Sequence, residues 1–133
     1  MALHKIIIKQ KGSSPLLGIQ FILKSKELTE TSPMFQLEDW KEYRELIVLK
    51  EGQDVRKIGM KRYADPRNGR SHYIGIQLYG KDDEMIVDET WGRLFGNWIY
   101  KEIPQGEKLV GFFGTIDQNR EYISHLGFLT CLK

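Results

Sequence analysis

The segment Lys57-Ile58-Gly59-Met60, followed by Asp65-Pro66-Arg67-Asn68-Gly69 and then Gly75-Ile76-Gln77-Leu78, decides how this chain is read. Two short runs of β-branched and apolar residues flank a loop of turn formers, the pattern of an antiparallel hairpin. The pattern occurs twice more. Upstream stand Lys5-Ile6-Ile7-Ile8, Gly12-Ser13-Ser14-Pro15 and Gly18-Ile19-Gln20-Phe21; downstream stand Lys108-Leu109-Val110-Gly111, Asp117-Gln118-Asn119-Arg120 and Leu126-Gly127-Phe128-Leu129. The first-strand anchors Ile6, Ile58 and Leu109 are 52 and 51 residues apart, and the second-strand anchors Ile19, Ile76 and Leu126 are 57 and 50 apart. A period near fifty, with loops absorbing the variation, is the mark of a repeated supersecondary unit.

The stretches between hairpins supply further strands. Phe35-Gln36-Leu37 and Glu45 to Leu49 fill the first gap, and Met85-Ile86-Val87 with Trp98-Ile99-Tyr100 fill the second. Residues 37–49 are the one Gly- and Pro-free window rich in helix formers, so a short helix there competes with strand. Alternation places Ile6 with Ile8, Ile19 with Phe21, Ile58 with Met60, Ile76 with Leu78 and Leu126 with Phe128 on one face each. Ile6, Ile8, Ile19, Phe21, Ile58, Ile76, Leu78, Leu109, Leu126 and Phe128 are the predicted core, with Met60 on the same face as Ile58. The fold expected is all-β: three antiparallel sheets with approximate threefold symmetry, packed as a prism, in one domain spanning 1–133.

Composition sets the outer bounds. The chain has 133 residues, 41% hydrophobic and 29% charged, enough for a core without disulfides or metal. A formal charge of +2 does not make nucleic acid or an anionic membrane the default partner. The single cysteine, Cys131, excludes an intrachain disulfide and a cysteine-rich zinc site. No signal-peptide core and no stretch of about 20 apolar residues is present, so a cytoplasmic location is expected.

Lys108-Leu109-Val110-Gly111-Phe112-Phe113-Gly114, followed by Tyr122-Ile123-Ser124-His125-Leu126-Gly127, resembles the closing hairpin of the jacalin-related lectins. Lys5-Ile6-Ile7-Ile8-Lys9 with Gly18-Ile19-Gln20-Phe21, and Trp91-Gly92-Arg93-Leu94-Phe95-Gly96, resemble other parts of that family in the same order. The resemblance implies a β-prism I fold of three Greek-key sheets. It also implies carbohydrate binding, through an aspartate that accepts hydrogen bonds from two sugar hydroxyls just before a hairpin's second strand. The matching positions here are Leu17, Ile74 and Ser124, none of them acidic, and the matching loop glycine of the third hairpin is Arg120. An apolar side chain cannot accept those bonds. The degenerate sugar loop is therefore Arg120, Tyr122 and Ser124. The family's N-terminal strand also has no counterpart before Ile6, so the third sheet is expected to be one strand short.

Other constellations point to less. His4, His72 and His125 fall on separate hairpins without carboxylates at ligand spacing. Asp82-Asp83-Glu84 reads as a solvated turn tip rather than a cation site. Lys57, Lys61, Arg62, Arg67 and Arg70, interleaved with Tyr63 and Tyr73, have the look of a nucleic-acid platform, yet charges alternating along an edge hairpin also keep that edge soluble. Trp91, Arg93, Phe95, Trp98 and Tyr100 combine aromatics with an arginine, the composition of a protein-binding hot spot, and core and interface are equally open for them. The chain is thus read as a non-catalytic binding module without cofactor, metal, nucleic-acid or membrane partner. Its partner is another protein chain, docked along the open edge of the third sheet. The alternative is a lectin binding carbohydrate through a non-standard loop.

Overall fold

The computed structural model describes residues 2–9, 18–24, 29–31, 35–36, 44–48, 53–67, 69, 71–90, 95–116 and 123–133. They form eleven strands: β1 Ala2–Lys9, β2 Gly18–Lys24, β3 Thr29–Thr31, β4 Phe35–Gln36, β5 Arg44–Val48, β6 Lys57–Ala64, β7 Ser71–Tyr79, β8 Met85–Thr90, β9 Asn97–Glu102, β10 Glu107–Ile116 and β11 Ile123–Leu132. Three antiparallel sheets result. The first runs β3-β2-β1-β5 with β4 also on β2, the second runs β8-β7-β6-β9, and the third is β10-β11. In the second sheet β8 lies on one edge of the central hairpin and β9 on the other; in the first, β3 and β4 both pair with β2 and β5 pairs with β1, the Greek-key order that the resemblance implies. Among the described residues the third hairpin has neither flanking strand. Residues 44–48 are strand, which settles that part of the helix-competent window; residues 37–43 and 49 lie outside the described residues.

The registers show what is repeated. Ile6 faces Phe21 and Ile8 faces Ile19; Ile58 faces Leu78 and Met60 faces Ile76; Phe112 faces Phe128 and Gly114 faces Leu126. Phe112 therefore takes the place held by Ile6 and Ile58, whereas Leu109 lies ahead of a bulge between Leu109 and Gly111 and is buried there. A bulge adds a residue to one strand and shifts the facing pairs, so equal sequence spacing does not guarantee equal position.

The inward faces make one shared core. Ile6, Ile19, Phe21, Ile58, Met60, Ile76, Leu78 and Leu109 are buried in it, and Leu126 and Phe128 pack against it half-buried, while the side chain of Ile8 lies outside the described residues. The Phe21 ring lies 5.2 Å from Phe112 and 6.5 Å from Phe128, joining the first sheet to the third. Val55, Tyr73, Ile103 and Ile123 complete the cluster. Arg56 ties the second repeat to the third, donating through Nη1 to the carbonyl of Glu107 at 2.7 Å and through Nη2 to those of Ile103 and Pro104 at 2.9 Å. Its planar fork suits several carbonyls converging from one turn. No helix among the described residues is long and apolar enough to cross a membrane.

Candidate functional site

The polar side chains that converge lie at the loop end of the third hairpin. Thr115 faces His125 and Ile116 faces Ile123, which leaves Ser124 as the extra residue of a bulge. Strict alternation would send Ser124 and His125 to opposite faces; the bulge re-aims them. Thr115 Oγ1 accordingly lies 3.1 Å from His125 Nδ1 and 3.3 Å from Ser124 Oγ. Ser124 Oγ also donates to the Thr115 carbonyl at 3.3 Å. Ile123, fully buried, anchors the start of the strand and fixes the bulge against the core.

The fourth member comes from the second sheet. Arg62 continues the inward row Ile58, Met60, Arg62 along β6 and faces Tyr73, another core residue. A cation thus stands at the last core-facing position before the loop. Its Nη2 lies 3.1 Å from His125 Nε2. A guanidinium can only donate, so Nε2 accepts and the ring proton sits on Nδ1, directed at Thr115. The chain of bonds then runs Arg62, His125, Thr115, Ser124 and ends on a carbonyl. Arg62 Nε is buried with no acceptor, and Arg62 forms no ion pair among the described residues. Beside the cluster, Tyr73 Oη accepts the Leu126 N–H at 2.9 Å, so this amide bonds across to the second sheet rather than to β10. A cleft of about 570 Å³ opens here between β9 and β11, lined among others by Tyr73, Leu126, Phe128, Thr115 and His125. Lys101 and Glu102, opposite in charge, line it from β9.

Ser124 is the one described member of the expected sugar loop, because Arg120 and Tyr122 lie outside the described residues. Of the other two carboxylate positions, Ile74 is buried and Leu17 lies outside the described residues. The aromatic patch sits elsewhere. Phe95 is 64% and Tyr100 47% exposed, and Trp98 is half-buried; Trp91 and Arg93 lie outside the described residues. Trp98 and Tyr100 stack at 6.3 Å on the outer face of the second sheet, above Gly75 and Gly59, whose missing side chains leave room for the rings. The Tyr100 hydroxyl donates to Gln77, as does that of Tyr79.

The basic cluster does not converge. Lys57 pairs with Asp83 at 2.9 Å, Arg67 pairs with Asp65 at 3.3 Å, and Arg62 turns to the third hairpin; Arg70 lies outside the described residues. The acidic tip is occupied by that Lys57 pair and by Glu84, which accepts the Asp82 N–H. His72 packs against Tyr63 while His125 meets Arg62, and no metal-holding group of His, Cys, Asp or Glu occurs among the described residues. Sequence reasoning missed Thr115 and assigned Arg62 to an edge. The period-two row from Ile58 through Met60 is the signal that places Arg62 inward.

Compared by sequence, the chain matches no protein-family model and no curated protein at a significant level. Compared by structure, it is similar to a mannose-binding jacalin-related lectin from Ananas comosus, with TM-score 0.69 and 13% identity over 100% of this chain and 84% of that one. Frutalin from Artocarpus incisa, solved in complex with galactose, aligns with TM-score 0.72 at 11% identity, covering 99% of this chain and 93% of that one. Malaysian banana lectin aligns with TM-score 0.66 at 16% identity, over 99% and 84%. These likenesses establish the fold: the chain is a jacalin-like β-prism.

Proposed function

We propose that this chain is a non-catalytic carbohydrate-binding domain whose site is the loop end of the third hairpin. The observation that carries the reading is the convergence of Arg62, Thr115, Ser124 and His125 from three strands beside an open cleft. Hydroxyls, an imidazole and a guanidinium in a fixed frame suit the directional hydrogen bonds that sugars require. The likeness to lectins adds support through the fold alone, since fold by itself does not fix function. Ser124 in place of a carboxylate means that neutral hexoses lose their acceptor, so recognition here must use other groups. A glycan array followed by calorimetry tests the reading, with Ser124→Ala and His125→Ala as variants. Saturable glycan binding weakened by both variants supports it; absence of any glycan binding by the folded domain overturns it.

A second reading is favoured by a different observation, the sheet edge at β11. The corresponding edges of β2 and β7 carry β3 and β8, whereas β11 borders the cleft and sends its Leu126 N–H to a side chain. An extended strand of a partner protein, alternating apolar and polar residues, fits that edge by main-chain pairing. Hydrogen exchange measured with and without a partner tests it: new protection confined to β11 supports docking, and unchanged exchange removes it.

A further inference from the structure

We infer that the loop-end site selects acidic saccharides, those carrying a uronate, sialate or sulfate group, an inference that rests on the carbohydrate-binding reading above. The site's charge runs opposite to an acceptor carboxylate. Arg62 occupies an inward position that the Ile58–Met60 row otherwise gives to apolar side chains, and it has no carboxylate partner among the described residues. Burying part of a guanidinium without compensation is unfavourable, and an anion brought to it recovers that cost. The bond chain through His125, Thr115 and Ser124 ends internally on the Thr115 carbonyl. Its protons are spent, and the donors left over belong to the guanidinium. Those N–H groups form a planar fork that matches carboxylate or sulfate oxygens.

The cleft fits the rest of such a ligand. It is lined by Thr115 and by His125, which is bonded to Arg62 just outside the lining, and Tyr73, Leu126 and Phe128 in that lining offer apolar surface for a sugar ring. Tyr73 Oη, already accepting from Leu126, keeps its own proton to donate. The acidic group is thus assigned to the Arg62 end and the pyranose body to the cleft. Lys101 and Glu102, also in the lining, carry opposite charges, so the preference is assigned to Arg62 beside it.

Calorimetry on the whole chain decides this, using sialyllactose and a uronate-containing tetrasaccharide against lactose and mannose. The acidic ligands should bind at least about tenfold more tightly than the neutral ones, and the margin should shrink as salt rises from about 50 to about 500 mM. Arg62→Gln should erase the preference, Arg62→Lys should restore part of it, and Lys24→Gln, exposed on β2 of the first sheet, should leave it intact. Unchanged circular dichroism of Arg62→Gln excludes unfolding as the cause. Equal affinity for acidic and neutral sugars, or a preference indifferent to Arg62→Gln, overturns the inference while leaving carbohydrate binding in place. No binding of any saccharide overturns both.

Discussion

Arg62 Nη2 and His125 Nε2 lie 3.1 Å apart across the gap between the second and third sheets, although 63 residues separate them in the chain. The contact fixes more than position. Because the guanidinium cannot accept a hydrogen bond, the neutral imidazole is held as the Nδ1–H tautomer, with its proton toward Thr115. Nitrogen NMR of the histidines should report that tautomer for His125, and Arg62→Gln should shift the balance toward Nε2–H. A wild-type ring protonated on Nε2 would contradict the bond chain.

Phe21 is the residue on which the sheets most visibly converge, fully buried and in ring contact with Phe112 and Phe128. Truncation to Ala removes both contacts and opens a cavity, at a cost of about 3–5 kcal/mol. Denaturant unfolding measures this, and a loss under about 1 kcal/mol would be incompatible with a single shared core.

Tyr73→Phe deletes one oxygen and keeps the ring in the core. The Leu126 N–H then loses its acceptor at a partly buried position, with an expected destabilisation of about 1–2 kcal/mol. Native-state hydrogen exchange should show the Leu126 amide accelerated well beyond its β11 neighbours. Uniform acceleration of all β11 amides would instead indicate general loosening.

The two glycines beneath the aromatic stack should respond differently to Ala. At Gly75 the new carbon would meet the Glu89 carbonyl at 2.9 Å, a backbone atom of the paired strand β8. The ladder itself must move, costing about 1–3 kcal/mol. At Gly59 the contact is the Tyr100 ring at 2.7 Å, a half-exposed side chain that can swing aside at the expense of its bond to Gln77. Thermal unfolding should rank Gly75→Ala below Gly59→Ala, and the reverse order would contradict the register.

Alkaline pH should weaken the outer face of the second sheet. Burial and the neighbouring Tyr100 raise the Tyr79 phenol above its ordinary value, and the hydrogen bond to Asp83 raises the Lys57 ammonium. For both groups the folded state holds the proton more tightly than the unfolded chain. The stability they contribute is therefore complete below their unfolded pKa values, near 10, and is lost as pH rises through the raised ones. Unfolding midpoints should fall above about pH 10, and less so in Tyr79→Phe and Lys57→Met. A flat alkaline profile would remove this linkage.

What the sequence alone determined is the local order of this fold. Side-chain alternation has a period of two whatever surrounds the strand, so Ile58 with Met60 and Ile76 with Leu78 declare their shared face without reference to a partner. Repetition of that unit declared three sheets and most of one core. Buried Val55 and Ile103 escaped because they stand just outside strands, where alternation carries no signal. The site was decided by tertiary structure. Glycine within a strand often marks a bulge, but this one falls on a serine, so nothing at Ser124 said that it would turn to the side of His125. Nor does spacing along β6 say which sheet end Arg62 will meet. That depends on how three twisted sheets close around a core, a property of all the strands together and of no segment by itself.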